Sequence, residues 1–389
     1  MTTYDLIVVG LGAMGAATAL QAARRGARVL AIDSHHPPHD QGSSHGETRI
    51  TRRAIGEGLD YVPLALRAHE IWRALEAETG ETLMRTPGAL LISTPGMGVA
   101  HHGKPDFLET TIEAARAFGV EHENLSPAEV RARWPQFRMR DEERAYFEPG
   151  AGILYPERCI AAQLRLAGAS GAEIRTGETI RQIASWNGHV TVTTDQGTYE
   201  ADRAVVCAGG WTGQLLGGVW ARRLRLYRQC LHWFEPADPA AFAPERFPVF
   251  IWMYGERDGD WFYGFPVDPD FGGVKISGEQ FGVETRDPDA WDRGSTRGEA
   301  LACHARHLAG HLDGVPPAWL RSVACAYTLA PDSRFIVDED PERTGVIVVS
   351  ACSGHGFKHS PAIGEAAAAW ALTGERPAVL APFGLAESL

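Results

Sequence analysis

The sequence predicts an α/β protein in which a nucleotide-binding domain carries an inserted second domain, and three observations support this. A buried strand, a glycine-rich turn and a helix follow one another at the start of the chain. Residues 221–281 are rich in aromatic and alternating segments, and a capped apolar helix spans 360–373. Apolar strands alternating with helices indicate a parallel sheet, whereas alternating segments indicate antiparallel strands. We therefore expect the second domain to be built on a mixed, largely antiparallel sheet.

The first strand leads directly into Gly10-Leu-Gly12-Ala-Met-Gly15, and a second strand ends at Asp33. In this motif the first glycine permits a tight turn, the second lets the backbone approach a pyrophosphate, and the third lets helix and strand pack closely. The free N–H groups at the helix N-terminus face the phosphates. Asp33 lies at the spacing of a carboxylate that accepts hydrogen bonds from ribose hydroxyls. Together these features predict a dinucleotide site.

Composition argues against several classes of function. The 389 residues carry a formal net charge of −12, so a general basic field for nucleic acid is absent. No stretch approaches the roughly 20 apolar residues of a membrane span, and the first strand begins too early for a signal peptide. The six cysteines and fifteen histidines lack zinc spacing, so we expect no metal and no disulfide framework. We expect a cytoplasmic protein that binds neither nucleic acid nor a membrane.

Apolar spacing and capping residues predict the remaining elements. These are helices over 62–79, 158–170, 289–310 and 360–373, short strands over 178–206 and 321–350, and a long polar loop over 34–61. A capping box starts a further helix at Ser126. Turns are expected at Asn187-Gly188 and Gln196-Gly197, and Ser360 and Gly374 are the expected N-cap and stop of the last helix.

Two features favour a flavin over a nicotinamide as the bound dinucleotide. The GxGxxG motif occurs once, whereas a flavoenzyme that draws electrons from a nicotinamide often carries a second such unit. The glycine- and lysine-containing loop 353–358 leads into the helix at 360, whose N-terminus could sit under an isoalloxazine ring and stabilise its reduced anion. The pair Gly209-Gly210, which follows another apolar strand, permits close approach to the same ligand.

Six motifs in a fixed order carry a family resemblance. They are the glycine motif at 10–15, GSSHGETRITR at 42–52, YGFP at 263–266, Lys275, CAYTLAPD at 325–332 and SGHGFK at 353–358. The chain resembles the monomeric sarcosine oxidase and N-methyltryptophan oxidase family, within the D-amino-acid oxidase superfamily, over nearly its whole length. The resemblance implies a glutathione-reductase-like FAD-binding domain formed by 1–85, 145–220 and 320–389. The substrate domain, with its mixed sheet, would comprise 86–144 and 221–319.

The resemblance implies that FAD is the cofactor and that the sulfur of Cys325 is bonded to the flavin 8α carbon. A thiolate can add at that electrophilic position, although on chemistry alone a buried core cysteine is the commoner case. Cys352 is close in sequence but does not match the linkage motif. The residues predicted to bind FAD are Gly10, Gly12, Ala13, Met14, Gly15, Asp33, Ser34, Ser43, Ser44, Thr48, Arg49, Gly209, Trp211, Cys325, Gly354, His355, Gly356, Phe357 and Lys358.

The family reaction is oxidation of secondary N-methyl amino acids to imines that hydrolyse, with oxygen reduced to hydrogen peroxide. The resemblance implies that Lys275 promotes oxygen reduction, that Arg49 lies near the flavin face and that Tyr263 lines the substrate cavity. Arg52 and Lys358 would bind the substrate carboxylate, the first as a planar fork and the second as a point charge. The expected partners are thus an N-methyl amino acid and oxygen, and the protein is expected to be a monomer.

One position departs from the family pattern. Four residues after the lysine, where the family commonly has histidine, the chain has Glu279. A carboxylate there would disfavour an anionic substrate or pair with the substrate amine, so Glu279 is predicted to contact the substrate and sarcosine itself is in question. The neighbouring aromatic residues Trp252, Tyr254, Trp261 and Phe262 either enlarge the pocket or belong to the core.

Three alternatives stay open at this point. The first is an oxidase or dehydrogenase of another amino acid, such as glycine, proline or pipecolate. The second is a nucleotide-binding protein without chemistry, in which no amine would bleach the flavin. The third is an NAD-dependent dehydrogenase, which would be colourless.

Overall fold

The computed structural model describes residues 3–94, 106–257, 259–330 and 332–385. Pro331, which belongs to the motif at 325–332, lies outside the described residues. The α-helices of the described part are α1 (Ala13–Arg24), α2 (Val62–Thr79), α3 (Phe107–Ala117), α4 (Pro127–Arg133), α5 (Pro156–Ala169), α6 (Thr212–Leu216), α7 (Gly218–Arg223), α8 (Arg297–Cys303) and α9 (Ser360–Thr373).

The strands of the described residues form three sheets. In chain order they are β1 (Thr3–Val9), β2 (Val29–Asp33), β3 (Arg49–Thr51), β4 (Met84–Arg85), β5 (Ala89–Ser93), β6 (Glu123–Leu125), β7 (Arg144–Glu148), β8 (Gly152–Leu154), β9 (Glu173–Thr176), β10 (Ile180–Trp186), β11 (His189–Thr194), β12 (Thr198–Val206), β13 (Arg225–Phe234), β14 (Val249–Met253), β15 (Trp261–Phe265), β16 (Val274–Ser277), β17 (Glu284–Thr285), β18 (Trp319–Leu329), β19 (Ile336–Glu339) and β20 (Val346–Ser350).

The first sheet has a parallel centre. β1 pairs in parallel with β2 and β12, β9 adds beside β2, and β20 pairs with the end of β12. Leu6–Val9 of β1, Val29–Ile32 of β2 and Val346–Val349 of β20 are continuous buried apolar runs, because α1, α5 and α9 cover the sheet. β10 and β11 form the predicted hairpin, and its turn residues Asn187 and Gly188 have φ of 52° and 83°. Positive φ at both central residues is the geometry that a two-residue hairpin favours.

The second sheet is mixed and largely antiparallel, as predicted. Its order is β17-β13-β16-β15-β14-β5-β7-β6, with β18 also paired to β13, and β14–β5 is its parallel pair. Alternation along β15 separates two environments. Trp261, Tyr263 and Phe265 face a cavity, whereas Phe262 packs with Trp252 in an aromatic core on the opposite face.

The three remaining strands form a small antiparallel sheet in the order β3-β8-β4. β3 lies inside the stretch 34–61 that was predicted to be a polar loop. This short sheet matters for the site, because β3 carries Arg49 out of the loop and β8 leads into α5.

Several predicted boundaries are confirmed and two are wrong. α2 has its predicted bounds, the capping box at Ser126 is formed, and Gly374 ends α9 in the left-handed conformation. The helix expected from 289 begins at Arg297 and continues beyond Cys303 as a π-helical turn, because a second capping box at Thr296 sets its start. Ser360 is not an N-cap, since a 3₁₀ turn already precedes it and its hydroxyl has no partner among the described residues.

The domain limits remain a prediction. Strand pairing differs from the predicted limits at 145 and 320, because β7 and β18 hydrogen-bond into the second sheet. The predicted limits assign most of both strands to the FAD-binding domain. β18 carries Cys325, so that residue belongs to the second sheet by its backbone pairing.

Replacing Gly15 by Ala is predicted to destabilise the protein strongly. A Cβ on Gly15 would lie 1.7 Å from the Gly10 carbonyl oxygen, so α1 could not stay against the end of β1. We expect a loss of about 3 kcal/mol or more in urea unfolding. Gly168 in α5 is the matched control, because a Cβ there would meet its nearest atom at 3.8 Å. Gly168→Ala should be neutral or mildly stabilising, and equal effects of the two changes would contradict the packing argument.

Candidate active site

One cavity of about 600 Å³ lies between the first and second sheets. One wall is made where the central parallel strands end, at Gly10 after β1, Asp33 at the end of β2, Cys207 after β12 and Ala351 after β20. Open α/β sheets bind their ligands at this edge. The opposite wall comes from the second sheet and includes Lys275. The cavity can therefore hold a dinucleotide along the first sheet and a small molecule against the second.

The glycine turn is shaped for close approach of a ligand. Gly10 has φ of 85°, and a Cβ on it would lie 2.7 Å from the Cys207 carbonyl oxygen. The amide of Leu11 donates to Asp33 Oδ2 at 2.7 Å, and Asp33 Oδ1 accepts from the His35 amide at 2.8 Å. Asp33 thus anchors the turn while its carboxylate borders the cavity. Gly10 and Gly12 both border the cavity, and this cradle of backbone beside a carboxylate fits a pyrophosphate and its ribose.

A second loop, 42–48, closes over the cavity and is organised by Arg49. Its guanidinium donates to the Thr48 and Ser43 carbonyl oxygens, each at 2.8 Å, and to the carbonyl of His45. A planar fork with several donors suits this task, because it can satisfy several carbonyl groups at once. Ser44 Oγ lies 3.4 Å from the Ala13 amide, which links this loop to the glycine turn.

Lys275 is buried on β16, and its ammonium contacts the same loop. Nζ donates to the carbonyl oxygens of Gly46 and Thr48 at 2.7 and 2.8 Å and to Thr48 Oγ1 at 3.0 Å. It also lies 4.6 Å from the centre of the Phe265 ring. Burial, and then the nearby Arg49 guanidinium, hold the pKa of Lys275 well below its ordinary value. Three oxygen partners and an aromatic face compensate the desolvated ammonium.

Arg52 and Lys358 form a second cationic group in the cavity wall. Arg52 Nη2 lies 2.7 Å from Glu57 Oε2 and Nη1 donates to the Ala54 carbonyl, and both members of the ion pair are buried. Lys358 Nζ donates to the His355 carbonyl at 2.7 Å. Burial lowers the pKa of Lys358 to about 7, with Glu57 favouring and Arg52 disfavouring its charge. These cations offer a site for a carboxylate, where Arg52 is the fork and Lys358 the point charge.

The loop 353–358 supplies the third side of the cavity. Ser353 and Gly354 adopt φ of 40° and 77°, and a Cβ on Gly356 would lie 1.5 Å from the Ala351 carbonyl oxygen. The loop is therefore a tight turn between β20 and α9, and position 356 has no room for a residue larger than glycine. Its residues Gly354, His355, Gly356, Phe357 and Lys358 line the cavity.

Comparison with known proteins identifies the family. The family model for FAD-dependent oxidoreductases matches residues 5–370. This chain belongs to the FAD-dependent oxidoreductases. It is 36% identical over 379 residues to a monomeric sarcosine oxidase of Streptomyces avermitilis, covering 96% of this chain and 94% of that one. It is also 36% identical over 389 residues to an N-methyl-L-tryptophan oxidase of Yersinia pestis, covering 98% of this chain and 99% of that one.

Solved structures agree with this assignment. NikD, described as an unusual amino acid oxidase essential for nikkomycin biosynthesis, matches with a TM-score of 0.84 and 26% identity over 99% of this chain and 98% of that one. An L-proline dehydrogenase from P. horikoshii matches with a TM-score of 0.77 at 21% identity, over 97% and 95%. That likeness shows the fold alone. The family excludes the NAD-dependent alternative and confirms FAD as the cofactor class.

The oxidoreductase brings nearly all predicted site residues to one cavity. The exceptions among them are Gly15, which packs against Gly10, and Cys325. Cys325 is buried among Leu231, Trp233, Tyr263 and Val323, whereas Cys352 contributes to the cavity wall. Burial raises the pKa of Cys325, and the adjacent Arg49 and Lys275 lower it. Cys325 thus lies behind the wall, within electrostatic reach of two cations that border the cavity.

Glu279 is held in the cavity wall by a fixed backbone. Before it, Ser277 Oγ donates to the Cys230 carbonyl at 2.8 Å. After it, Gln280 and Gln229 exchange two hydrogen bonds, of 2.9 and 2.7 Å. Burial first, and then Tyr263 and Glu279, raise the pKa of Tyr327 well above its ordinary value, so Tyr327 stands close to both side chains.

The structure adds residues that the sequence reasoning did not assign to the site. Glu57, Phe265 and Tyr327 line the cavity. Alternation along a strand could have found two of them, because Phe265 is two residues from Tyr263 and Tyr327 two from Cys325. No pattern marks Glu57, which sits in an irregular turn before α2. Of the four aromatic residues considered near the pocket, Trp261 borders the cavity, while Trp252, Tyr254 and Phe262 pack in or against the opposite core.

Within the described ranges, every helix is too short or too polar to cross a membrane. The same residues contain no group of three or more His, Cys, Asp or Glu side chains placed to hold a metal ion.

Proposed function

We propose that the protein is an FAD-dependent oxidase of secondary N-methyl amino acids. The observation that carries this proposal is the arrangement of one cavity, with a dinucleotide cradle on one wall and Arg52, Lys358 and Lys275 around the rest. In the net reaction an N-methyl amine, oxygen and water give the primary amine, formaldehyde and hydrogen peroxide. The names of the relatives at 36% identity support this substrate class.

FAD, when bound, supplies the chemistry of accepting two electrons from the substrate and passing them to oxygen. The glycine turn, Asp33, Ser44 and the loop 353–358 would hold it, because these border the cavity along the strand ends. The turn provides backbone N–H groups for phosphates, and Asp33 provides acceptor oxygens for ribose. Arg49 would keep the 42–48 loop closed over the cofactor.

The substrate carboxylate would bind between Arg52 and Lys358. In the free protein Glu57 already neutralises Arg52 at 2.7 Å, so an incoming carboxylate competes with Glu57 for the guanidinium. This competition costs part of the binding energy, but it also keeps the buried guanidinium paired when no substrate is present. A bidentate contact would then fix the orientation of the substrate backbone, which positions its C–N bond in the cavity.

The amine of the substrate would lie on the side of Glu279, Tyr263 and Tyr327. Oxidation to the imine breaks a C–H bond next to nitrogen, with loss of a hydride equivalent, and uses the nitrogen lone pair to form the C=N bond. The amine must therefore be neutral, so a bound ammonium must first lose a proton. Glu279 would accept this proton, and its fixed backbone would hold the carboxylate in place. Trp261 and Phe265 contribute apolar surface to the same wall, which suits an N-methyl group.

We further propose that the protein acts as a monomer in the cytoplasm. The name of the Streptomyces relative supports the first statement. The six unpaired cysteines support the second, because disulfides are rare in reducing compartments.

The substrate proposal is tested by measuring peroxide from FAD-loaded protein across a panel of N-methyl and cyclic amino acids. We expect secondary N-methyl amino acids to give peroxide, and those with an anionic side chain to be the poorest because Glu279 repels them. Glycine, proline and pipecolate are included in the panel because each is the preferred substrate under one of the alternative functions. Peroxide from none of the secondary amines, or a clear preference for glycine or a cyclic amino acid, would contradict the proposed substrate class.

We propose that FAD is attached through Cys325. Burial raises the pKa of this thiol, and the charges of Arg49 and Lys275 oppose that rise and so favour the thiolate. Acid precipitation should leave the yellow colour with the wild-type pellet and release it to the supernatant from Cys325→Ala. Cys352→Ala is the matched control, because Cys352 borders the cavity but does not match the linkage motif. If Cys325→Ala kept its flavin in the pellet, the assignment would be wrong.

Carboxylate binding should weaken as the pH rises through about 7, the pKa to which burial lowers Lys358. The ammonium is present below that pH and is lost above it, so Kd should rise by up to about tenfold per pH unit. Calorimetric titration with propanoate, which has no amine, measures this dependence. Lys358→Met should bind at least about tenfold more weakly and with little pH dependence. A wild-type Kd that is constant across this range would argue against a charged Lys358 in binding.

A further inference from the structure

The backbone that contacts Lys275 is a strained three-residue turn. The Thr48 amide donates to the Gly46 carbonyl at 2.8 Å, which defines a γ-turn centred on Glu47. Glu47 has φ of 71°, in the left-handed region that residues with a Cβ seldom adopt. A γ-turn of this sign is rare and strained, so its presence calls for contacts that hold it.

The strain has a geometric effect. The turn points the carbonyl groups of Gly46 and Thr48 at one place, and Lys275 Nζ occupies that place at 2.7 and 2.8 Å. An extended backbone would send the carbonyls of residues i and i+2 to the same side but about a full strand repeat apart. The γ-turn therefore builds a compact binding site for a buried ammonium out of backbone oxygens.

Glu157 is the side chain that holds the turn from outside. It lies in the first turn of α5, and its Oε1 accepts from the amides of Gly46 and Glu47 at 2.7 and 3.1 Å. Glu47 in turn pairs with Arg321 at 2.7 Å. Gly46 has φ of 97°, and a Cβ there would lie 2.6 Å from the Leu231 side chain, so a larger residue is disfavoured at this position. The turn is thus fixed by one helix, one strand of the second sheet and the absence of a side chain.

The charged groups around Lys275 act in opposite directions. Arg49 destabilises its ammonium, whereas Glu157 and Glu47 stabilise it and Cys325 would do so as a thiolate. His45, whose pKa burial lowers to about 4, is uncharged at neutral pH and adds no repulsion. Glu157 therefore has two effects on Lys275: it orients the carbonyl acceptors, and its charge favours the protonated form.

We propose that Glu157 is a positioning residue which, through the γ-turn at 46–48, holds Lys275 as a cation in the cavity wall. This inference rests on the proposed function and on the role in oxygen reduction that the family resemblance implies for Lys275. An ammonium placed where negative charge develops on oxygen lowers the barrier to electron transfer. Glu157 touches neither substrate nor oxygen in this scheme and acts through Lys275.

The lysine content of the chain makes the test direct. The sequence has three lysines, Lys104, Lys275 and Lys358. Protein labelled with ¹³C at the lysine ε-carbon should therefore give three resolved signals, which Lys275→Met and Lys358→Met assign. A pH titration of the FAD-loaded protein reports the pKa of Lys275 without any turnover.

Glu157→Gln keeps an acceptor oxygen for the two amides but removes the charge. We expect it to lower the pKa of Lys275 by roughly one unit. The alkaline fall in the rate of flavin reoxidation by oxygen should move down by the same amount. The anaerobic rate of flavin reduction by the amine should stay within about twofold, since that step does not use the ammonium. Glu157→Ala also removes the acceptor, so its reoxidation rate should fall by at least about tenfold.

Glu76→Gln is the matched control. Glu76 Oε1 likewise accepts two consecutive backbone amides, those of Leu83 and Met84, at 3.0 and 2.9 Å. Its replacement should leave the titration of Lys275 and both flavin rates unchanged. Should Glu157→Ala fail to fold, the isosteric Glu157→Gln carries the test alone.

The inference is overturned if Glu157→Gln retains FAD and shows the wild-type pKa for Lys275 and the wild-type pH profile of reoxidation. It is also overturned if Glu76→Gln produces the same changes. Failure of the proposed function looks different. In that case no amine reduces the flavin in any variant, while the NMR titration still reports whether Glu157 controls Lys275.

Discussion

The rest of the structure depends on four cations around one cavity, of which three are buried and one, Arg49, is half-buried. Arg49, Arg52, Lys275 and Lys358 all border it, and Lys275 and Arg52 are each only 2% exposed. A buried charge is tolerated only when it is paired and hydrogen-bonded. Of the four, Arg52 has a carboxylate partner at 2.7 Å, whereas the other three donate most of their hydrogen bonds to backbone carbonyl oxygens. Carbonyl partners leave the net positive charge available to an anion or to developing negative charge.

This choice of partners explains why the site is made of unusual loops. Carbonyl groups converge on a cation only when the backbone turns sharply, and the loops at 46–48 and 353–356 both contain residues with positive φ. The pairing of cations with backbone carbonyl oxygens also joins the two sheets. Lys275 belongs to β16 of the second sheet, and its acceptors belong to the loop that follows β2 of the first. A contact required for chemistry is thus also a contact between the parts of the fold.

Much of this arrangement is legible in the sequence. The glycine motif predicted the cradle, because the backbone conformation or a close contact requires glycine in this turn. The apolar spacing of residues 62–79 predicted both ends of α2. Two predicted details failed where a neighbouring signal was stronger, namely the start of α8 at Thr296 and the role of Ser360. Glu57 and Glu157 could not be found, because an acid in a loop or at a helix start has the sequence pattern of solvated surface, and only the tertiary structure shows what it contacts. The γ-turn was equally hidden, since its central residue is not a glycine.

The most direct test of the account is anaerobic mixing of the FAD-loaded protein with a secondary N-methyl amino acid. The central claim is that amine and oxygen meet the same flavin in the cavity that Arg52, Lys358 and Lys275 border. The visible flavin absorbance should be lost without oxygen and return when oxygen is admitted, with one peroxide released per flavin. Absorbance that persists with every secondary amino acid, or that returns without peroxide, would contradict it.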